Sequence, residues 1–464
     1  MKIYLMGIGG TGMASLAGML KEKGHEVLGS DEGVYPPMSE LLASLEIPVL
    51  TPFASENLPQ EVDQVIVGNV ISRPNVEAQA LLSSDLSYLS MPQAIHDFLL
   101  PGKRSLVVAG THGKTTTSSL LAWVLTSSGR DPSLFVGGKP NNFESNYELG
   151  EGDFFVLEGD EYDTAFFDKG PKFLHYAPEC VLLTSVEFDH ADIYDNLDQI
   201  LVSFEKLLKI IPASGRLVAN FDYETVRALS KNFAKDFISY GLKPELKGQV
   251  DYFAEILQAS PRMGFRVWEK GEILSDFEWE MMGAHNVSNA LGVIALCRHL
   301  SLSVEEIKEG LKTFRGVKRR QDFLGEVRGI YVYDDFAHHP TAVQETLAGF
   351  KEKFPKQRLW AIFEPRSNSS KRAVFQKDYV QAFSKADQVV IAPVYRPDKV
   401  PDGKVLDVQA LAKEIKERFK VEAYAPENLK TILELLIKKT QPGDICVFMS
   451  NGDFEALPRN FLRS

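Results

Sequence analysis

The most informative segment of this chain is Ser105-Leu106-Val107-Val108-Ala109-Gly110-Thr111-His112-Gly113-Lys114-Thr115-Thr116. Residues 105–109 form an apolar run of strand length, and the helical pattern that follows begins near Thr116. The glycines between them allow successive backbone amides to face one anion, and the positive end of the helix dipole points at the same place. The segment therefore predicts a parallel α/β sheet whose strand-to-helix turn binds phosphate groups.

The polar residues of this turn indicate which phosphates it binds. Lys114 can reach the β- and γ-phosphates of a nucleoside triphosphate, and Thr115 can ligate Mg²⁺. The spacing departs from the general phosphate-loop pattern, which would place a glycine where Val108 stands. An ordinary strand-to-helix turn is the alternative interpretation, but the Gly-Lys-Thr order in this context favours a nucleoside-triphosphate site.

Acidic side chains follow the next two predicted strands. Glu158 comes after the run Phe154–Leu157, and Asp189 and His190 come shortly after the run Cys180–Leu183. Because the carboxyl ends of parallel strands meet at one edge of a sheet, these groups should lie beside the phosphate-binding turn, where Mg²⁺ is held. Solvated carboxylates and a structural histidine are the alternative interpretation, but two such clusters after consecutive strands favour a metal and nucleotide site.

The N-terminus carries a second phosphate-binding pattern. The predicted strand Lys2–Met6 leads into Gly7-Ile8-Gly9-Gly10-Thr11-Gly12, and a helix and a second strand ending at Ser30 and Asp31 follow. This arrangement suits a diphosphate at a helix N-terminus with an acidic residue near a ribose. The glycine spacing is not the standard dinucleotide pattern, so a nicotinamide-dependent dehydrogenase and a diphosphate-sugar site are both compatible with it.

A third α/β region is expected beyond Gly316, where apolar runs of strand length alternate with helix-length segments. Arg320, in the basic stretch that opens this region, could neutralise γ-phosphate charge, and Asp335, at a strand end, could hold a ribose hydroxyl. Arg366 follows the strand Leu359–Phe363 and offers a planar guanidinium for a substrate carboxylate. A solvated basic linker and a locally bonded turn are the alternative interpretation.

Length and composition exclude several classes of protein. The chain has 464 residues, and its 51 basic and 63 acidic side chains give a formal charge of −12, which argues against a nucleic-acid or anionic-membrane binder. The cysteines Cys180, Cys297 and Cys446 are few and widely spaced, as expected for buried thiols in a reducing compartment. Apolar runs stay below the roughly 18 residues that a membrane helix needs. We therefore expect a cytoplasmic protein.

The predicted fold class is α/β with three domains. Residues 1–103 should form an N-terminal Rossmann-like domain, and residues 104–316 a central phosphate-loop ATPase-type parallel sheet. Residues 317–464 should form a C-terminal Rossmann-like α/β domain.

In their order and spacing, these motifs resemble the Mur ligases, the ATP-dependent amide-forming enzymes of peptidoglycan synthesis. The resemblance covers nearly the whole chain. Its signature positions are Gly110–Thr116, Glu158, Asp189-His190, Gly283-Ala284-His285-Asn286-Val287-Ser288-Asn289-Ala290, Arg319-Arg320 and Asp335.

Smaller segments resemble one branch of this family, whose members join L-alanyl-γ-D-glutamyl-meso-diaminopimelate to UDP-N-acetylmuramate in cell-wall recycling. These segments are Gly68–Arg73, Asp160–Lys169, Glu187–Ile193, Phe336–Pro340 and Glu364–Asn368. Members that add L-alanine instead typically have a serine at the position of Tyr162.

The resemblance implies ATP and Mg²⁺ as cofactors. It also implies that the first domain binds the UDP-sugar, the second binds ATP and the third binds the peptide. The implied catalytic residues are Lys114, Glu158, His190, Arg320 and His338, with Thr115, Glu158 and His190 as metal ligands. The implied ATP contacts are Gly110, Thr111, His112, Gly113, Lys114, Thr115, Thr116, His285, Asn286, Asn289, Arg320 and Asp335. The implied UDP-sugar contacts are Gly7, Ile8, Gly9, Gly10, Thr11, Gly12, Ser30, Asp31, Asn69 and Ser72, and the implied peptide contacts are Arg366 and His339.

The implied chemistry is formation of an acyl phosphate on UDP-N-acetylmuramate, followed by attack of the peptide amine. A monomer or weak dimer without nucleic-acid or membrane partners is expected. Three alternatives remain from the sequence: the L-alanine ligase of biosynthesis, a phosphate-loop nucleotide switch whose first domain senses NAD, and a Rossmann dehydrogenase.

Overall fold

The structure is a computed structural model and describes residues 1–400 and 403–464. The described residues divide into two compact units. The first contains Met1–Val186, Asp198–Tyr240 and Gly292–Gly310, and the second contains Glu187–Leu197, Gly241–Leu291 and Leu311–Ser464. Each unit is therefore assembled from three separate stretches of the chain.

The first unit begins with a wholly parallel five-stranded sheet. Its elements are β1 (Lys2–Met6), α1 (Thr11–Glu22), β2 (Glu26–Ser30), α2 (Met38–Ser44), β3 (Val49–Leu50), β4 (Gln64–Val67), α3 (Val76–Leu82), β5 (Tyr88–Ser90) and α4 (Met91–Ala94). The strand order is β3-β2-β1-β4-β5, so the order reverses beside β1. Ligands of such sheets bind at the carboxyl ends of the strands next to this reversal, and the glycine-rich segment starts there, directly after Met6.

Helix α1 covers this sheet with the face that the sequence pattern predicts. Met13, Leu16, Ala17 and Leu20 are all buried, because residues three and four apart share one side of a helix. Gly24 follows the helix at φ +84°, a left-handed conformation that glycine adopts without strain.

A second sheet occupies the rest of the first unit. Its elements are β6 (Arg104–Ala109), α5 (Lys114–Ser127), β7 (Ser133–Phe135), β8 (Tyr147–Glu148), β9 (Phe154–Gly159), β10 (Asp163–Ala165), β11 (Asp168–Pro171), β12 (Cys180–Leu183), α6 (Leu197–Ile210), β13 (Arg216–Asn220), α7 (Glu224–Lys231) and β14 (Phe237–Gly241). Within this unit the strand order is β14-β13-β12-β6-β9-β7-β8, parallel except for β8, and β10 with β11 forms a separate antiparallel hairpin.

Strand β6 lies between β12 and β9, which places the predicted phosphate-binding turn between two other strand ends. Ala109 pairs with Leu183 on one side and with Gly159 on the other. The loop after Ala109, the Glu158 side chain and the residues after Leu183 therefore meet at one edge of the sheet, as the parallel arrangement predicts.

The second unit contains an antiparallel meander that the sequence pattern does not predict. It consists of β15 (Tyr252–Gln258), β16 (Met263–Glu269) and β17 (Glu272–Trp279). The helices α8 (Ala284–His299) and α9 (Val304–Thr313) follow, and residues 292–310 of this stretch belong to the first unit.

The C-terminal part of the second unit is a mixed sheet in the order β18-β19-β23-β20-β21-β22, in which β18 is antiparallel and the other strands are parallel. Its elements are β18 (Asp322–Val327), β19 (Ile330–Asp335), α10 (Pro340–Lys353), β20 (Leu359–Phe363), α11 (Gln376–Ala382), β21 (Gln388–Ile391), α12 (Val408–Phe419), β22 (Glu422–Tyr424), α13 (Leu429–Lys439), β23 (Ile445–Met449) and α14 (Leu457–Leu462).

Strand β20 is apolar throughout because both of its faces are covered. Leu359, Ala361 and Phe363 pack in one hydrophobic cluster, while Trp360 and Ile362 pack in another. Alternate residues of a strand point to opposite faces, so a continuous apolar run is typical of a strand inside a parallel sheet.

These sheets confirm the predicted fold class of three α/β domains, and the boundaries after residues 103 and 316 stay predictions. The three cysteines in the described residues are buried and carry free thiols, as predicted. No helix in the described ranges has the length and apolar character needed to cross a membrane.

Candidate functional site

The turn after β6 is held from the end of β12. The Thr111 amide donates to the Ser185 carbonyl at 2.8 Å, and the His112 amide donates to the Ser185 hydroxyl at 3.0 Å. The Thr184 hydroxyl donates to the His112 carbonyl at 2.6 Å. The turn is therefore fixed by its neighbouring strand end before any ligand arrives.

Two glycines give this turn its shape. Gly110 has φ +136° and Gly113 has φ +79°, both in the region that side chains disfavour. Gly113 is the residue before α5, and no side chain among the described residues caps that helix start. The first amides of α5 are therefore directed at the space above the turn, which is the arrangement that binds phosphate.

The Lys114 ammonium group lies across the turn. It donates to the Gly110 carbonyl at 2.7 Å and forms an ion pair with Glu161 at 2.7 Å. Burial lowers the pKa of Lys114, but Glu161, Asp160 and Glu158 raise it above its ordinary value. The lysine therefore stays charged, as a group that neutralises phosphate oxygens must. Glu161 is not among the predicted site residues, although it lies in the segment Asp160–Lys169 that resembles one branch of the family.

Thr115 and Glu158 form an oxygen-rich pair beside the turn. The Thr115 hydroxyl donates to Glu158 Oε1 at 2.8 Å, and the Gly137 amide donates to Glu158 Oε2 at 2.7 Å. Hydroxyl and carboxylate oxygens are the ligands that Mg²⁺ prefers in proteins. This donor set fits the predicted metal, and a metal role for these two residues stays a prediction.

The N-terminal glycine segment forms a second turn of the same kind. The Gly7 and Ile8 amides donate to the Ser30 carbonyl at 2.8 and 3.0 Å, and the Gly9 amide donates to Asp31 Oδ2 at 2.8 Å. Helix α1 starts after Gly10 with no capping side chain among the described residues. Asp31 thus holds the glycine segment in place, while its predicted ribose contact stays a prediction.

A buried glutamate beneath this turn was missed by the sequence analysis. Glu77 is fully buried and accepts hydrogen bonds from the Ser30 hydroxyl at 2.5 Å, the Tyr4 hydroxyl at 3.2 Å and the Asn57 amide at 2.9 Å. The Ser30 side chain is therefore engaged inside the domain. Asn69 and Ser72 are exposed after β4, on the carboxyl side of the same sheet.

In the second unit, Asp335 organises the basic stretch. Its carboxylate accepts from the Gln321 amide at 2.7 Å, the Ala337 amide at 2.8 Å and the Thr346 hydroxyl at 3.3 Å. Burial raises the pKa of Asp335 above its ordinary value, although the nearby Arg320 guanidinium lowers it. Asp335 therefore holds the turn that carries Arg320, and its ribose contact stays a prediction.

Three of the predicted ATP contacts, Asn286, Asn289 and His285, lie close to this turn. The Asn286 amide donates to the Met282 carbonyl at 2.8 Å and to Gln321 Oε1 at 3.2 Å. The Asn289 amide donates to Asn286 Oδ1 at 3.3 Å, and both asparagines are buried. His285 folds back against Gly283, where an added Cβ would lie 2.8 Å from His285 Cε1.

Three of the predicted histidines act electrostatically on Asp189 in the second unit. Burial raises the pKa of Asp189, but His190, His339, His338 and a hydrogen bond from Ser369 hold it well below its usual range. Burial lowers the pKa of His338, so its imidazole is neutral near pH 7. His338 Nδ1 lies 2.9 Å from the Phe336 carbonyl, which can only accept, so the proton is on Nδ1 and Nε2 carries the lone pair.

His339 uses both ring nitrogens within the second unit. Nε2 donates to the Phe188 carbonyl at 3.1 Å, and Nδ1 accepts from the Thr341 amide at 3.3 Å at the start of α10. Because both ring nitrogens of His339 already form hydrogen bonds, His338 is a better candidate than His339 for accepting a proton.

Arg366 lies at the end of β20 between two carboxylates and an aromatic ring. Its guanidinium is 3.2 Å from Asp453 and 3.5 Å from Glu364, and its central carbon lies 4.0 Å from the centre of the Tyr395 ring. The side chain is 21% exposed, so a ligand can reach it without displacing the protein core. Its peptide role stays a prediction.

The comparisons with known proteins cover the whole chain. Three family models match: the Mur ligase family catalytic domain over residues 2–101, the Mur ligase middle domain over residues 108–297, and the Mur ligase glutamate ligase domain over residues 319–452. The chain is 38% identical to the UDP-N-acetylmuramate–L-alanyl-gamma-D-glutamyl-meso-2,6-diaminoheptandioate ligase of Escherichia coli (strain K12), over 100% of this chain and 98% of that protein.

Solved structures are similar over the same extent. A murein peptide ligase from Psychrobacter arcticus 273-4 superposes with a TM-score of 0.73 at 32% identity. The UDP-N-acetylmuramate-alanine ligase from Thermotoga maritima superposes with a TM-score of 0.81 at 27% identity. Each alignment covers 100% of this chain and 98% of the other.

Proposed function

Since this chain belongs to the Mur ligase family, we propose that it joins L-alanyl-γ-D-glutamyl-meso-diaminopimelate to UDP-N-acetylmuramate at the expense of ATP. The observation that carries the proposal is the presence of two glycine-rich turns in one compact unit, each leading into a helix with no described capping side chain. One turn carries the charged Lys114 for a triphosphate, and the other suits the diphosphate of a UDP-sugar. The choice of peptide over alanine is supported by the identity to the Escherichia coli ligase named for that peptide.

The reaction begins at the Lys114 turn. A carboxylate oxygen of UDP-N-acetylmuramate attacks the γ-phosphorus of ATP, the bond to the β-phosphate oxygen breaks, and ADP leaves. Lys114 neutralises the charge on the transferring phosphoryl group, and a phosphate-neutralising role is proposed for Arg320 in the second unit. Mg²⁺ held by Thr115 and Glu158 would add positive charge to the same phosphates. His190 would hold a second metal ion.

The second step forms the amide. The amine of the peptide attacks the carbonyl carbon of the acyl phosphate, and phosphate leaves with the former carboxylate oxygen. An α-amino group has a reference pKa of about 7.7–8.0, so a neutral base must take its proton. His338 is suited to that role because Nε2 carries its lone pair at neutral pH.

Arg366→Ala is expected to raise the KM for the tripeptide about 10- to 100-fold, because a charge-assisted hydrogen bond contributes about 1.5–3 kcal/mol. The KM for ATP should stay within about twofold, since the substituted group lies in the peptide region. Arg418→Ala is the matched control, because it removes another guanidinium that lies over a ring, 5.6 Å from the centre of Phe419, at an exposed position of helix α12. An unchanged tripeptide KM in Arg366→Ala would remove Arg366 from the peptide site.

L-alanine ligation is the second candidate function, favoured by the TM-score of 0.81 to the Thermotoga maritima enzyme. Phosphate release from ATP with Mg²⁺ and UDP-N-acetylmuramate distinguishes the two when the tripeptide and L-alanine are compared as acceptors. Release that depends on the tripeptide supports the proposal, and release that depends on L-alanine alone replaces it with the second candidate. Release with no acceptor and no UDP-sugar would favour the nucleotide switch.

We further propose a cytoplasmic location, where ATP and UDP-sugars are made, and a monomeric or weakly dimeric state. Sedimentation equilibrium across a range of protein concentrations measures that state.

A further inference from the structure

The segment Arg366–Lys371 forms a compact turn after β20 in the second unit. Ser367 and Ser370 tie the turn to itself, because the Ser367 amide donates to Ser370 Oγ at 2.9 Å and the Ser370 amide donates to Ser367 Oγ at 2.9 Å. The Lys371 amide closes the turn on the Ser367 carbonyl at 3.2 Å. The side chains of the two residues at its tip, Asn368 and Ser369, bond to another segment.

That other segment is Asp189–Asp192, in the same unit. Ser369 Oγ donates to Asp189 Oδ1 at 2.6 Å, and Asn368 Nδ2 donates to Asp192 Oδ2 at 2.9 Å. Ser369 is 4% exposed and Asp189 is 5% exposed, so the first bond is shielded from water. A shielded bond to a carboxylate holds its partners more firmly than an exposed one.

The carboxylate held by Ser369 also fixes the backbone of His190. Asp189 Oδ1 accepts from the His190 amide at 2.7 Å, and His190 adopts φ +54°, a left-handed conformation that is strained for a residue with a side chain. The Ile193 and Tyr194 amides then donate to the His190 carbonyl at 2.9 and 3.0 Å. The orientation of His190 therefore depends on where the Asp189 carboxylate is held.

We propose that Ser369 is a positioning residue that fixes His190 through the Asp189 carboxylate. The role in ligation rests on the proposed function, whereas the role in ordering residues 189–194 does not. Arg366, which is proposed to bind the peptide carboxylate, begins the same turn. The buried hydrogen bond from Ser369 to Asp189 therefore connects the turn of Arg366 with the loop that carries His190.

Kinetics test the catalytic part of this inference. Ser369→Ala should lower kcat for ligation about tenfold or more, because small displacements of a reacting group cost that much, and should leave the KM for the tripeptide within about twofold. Ser369→Thr retains the hydroxyl and should recover most of the lost kcat. A variant that raises the tripeptide KM at unchanged kcat would instead make Ser369 a substrate contact and overturn the proposal.

A double variant tests whether Ser369 acts through Asp189. In an Asp189→Ala background, Ser369→Ala should lower kcat by less than about twofold, because the hydroxyl no longer has its carboxylate. A further full tenfold loss in that background would contradict the proposal.

Hydrogen exchange tests the positioning itself, without any substrate. Ser369→Ala should speed amide exchange of residues 190–194 about tenfold or more, as measured by mass spectrometry on the metal-free protein. Ser367→Ala is the matched control: it removes bonds inside the turn, to Ser370, and should leave exchange at residues 190–194 unchanged. Unchanged exchange in Ser369→Ala would overturn the proposal whatever reaction the protein catalyses, and failure of ligation alone would affect only the proposed function.

Discussion

Lys114→Met is expected to lower the rate of ATP-dependent phosphate release about 10³-fold. The Lys114 ammonium stays charged above the turn that follows β6, where it would meet the phosphoryl group as negative charge develops. Methionine keeps most of the side-chain volume and removes the charge. Single-turnover phosphate release at saturating ATP measures the effect on chemistry apart from product release.

Lys114→Met can lower the rate by destabilising the fold as well as by removing the charge, because Lys114 forms an ion pair with Glu161, whose side chain is 1% exposed. Lys172→Met is the matched control: Lys172 is similarly buried and forms an ion pair with Asp160 at 2.5 Å. Both variants should lose stability in urea unfolding, since each removes a buried ammonium group from an ion pair, and the loss should be smaller in Lys172→Met because the Asp160 side chain is 36% exposed. The 10³-fold loss of rate should occur in Lys114→Met only, and an equal loss in Lys172→Met would assign the effect to folding.

Gly110→Ala is expected to abolish ATP binding at ordinary concentrations, raising the apparent KM for ATP by about 100-fold or more. A Cβ at this position would lie 2.2 Å from Thr184 Oγ1 and 2.7 Å from the Ser185 carbonyl, which already holds the turn. The φ of +136° adds backbone strain. The turn must therefore move away from β12, and its backbone amides then no longer point at the same phosphate group.

Gly129→Ala separates strain from crowding. Gly129 follows the other end of α5 at φ +75°, and an added Cβ there meets no described atom within 4 Å. It should cost about 1–2 kcal/mol of stability, because a left-handed φ is strained for alanine, and leave the KM for ATP unchanged. Isothermal titration with a non-hydrolysable ATP analogue gives the comparison directly, and equal affinities of the two variants for the analogue would contradict the role given to the turn.

The sequence predicts those strands of the fold that are buried on both faces. The strands Lys2–Met6, Cys180–Leu183 and Leu359–Phe363 are found at the predicted positions. They are short apolar runs buried on both faces, so composition alone marks them. The meander β15 to β17 was missed because its half-exposed strands mix polar with apolar residues.

Functional groups were predictable where a turn or a strand end exposes them. The glycines at 110 and 113 and the carboxylate of Glu158 lie at one sheet edge, as the parallel order requires. Glu77 and Ser369 were not predictable, because their partners are 47 and 180 residues distant in the chain. Asp335 shows the same limit: its position at a strand end was predicted, but the three donors that hold its carboxylate depend on tertiary packing.

The central claim is that this chain forms an amide between a UDP-sugar carboxylate and a peptide amine through an acyl phosphate. The most direct test uses UDP-N-acetylmuramate labelled with ¹⁸O in its lactyl carboxylate, together with ATP, Mg²⁺ and L-alanyl-γ-D-glutamyl-meso-diaminopimelate. Mass spectrometry of the products should find the UDP-sugar joined to the tripeptide and one ¹⁸O atom in the released phosphate. Phosphate without ¹⁸O, or phosphate released with no joined product, would contradict the account.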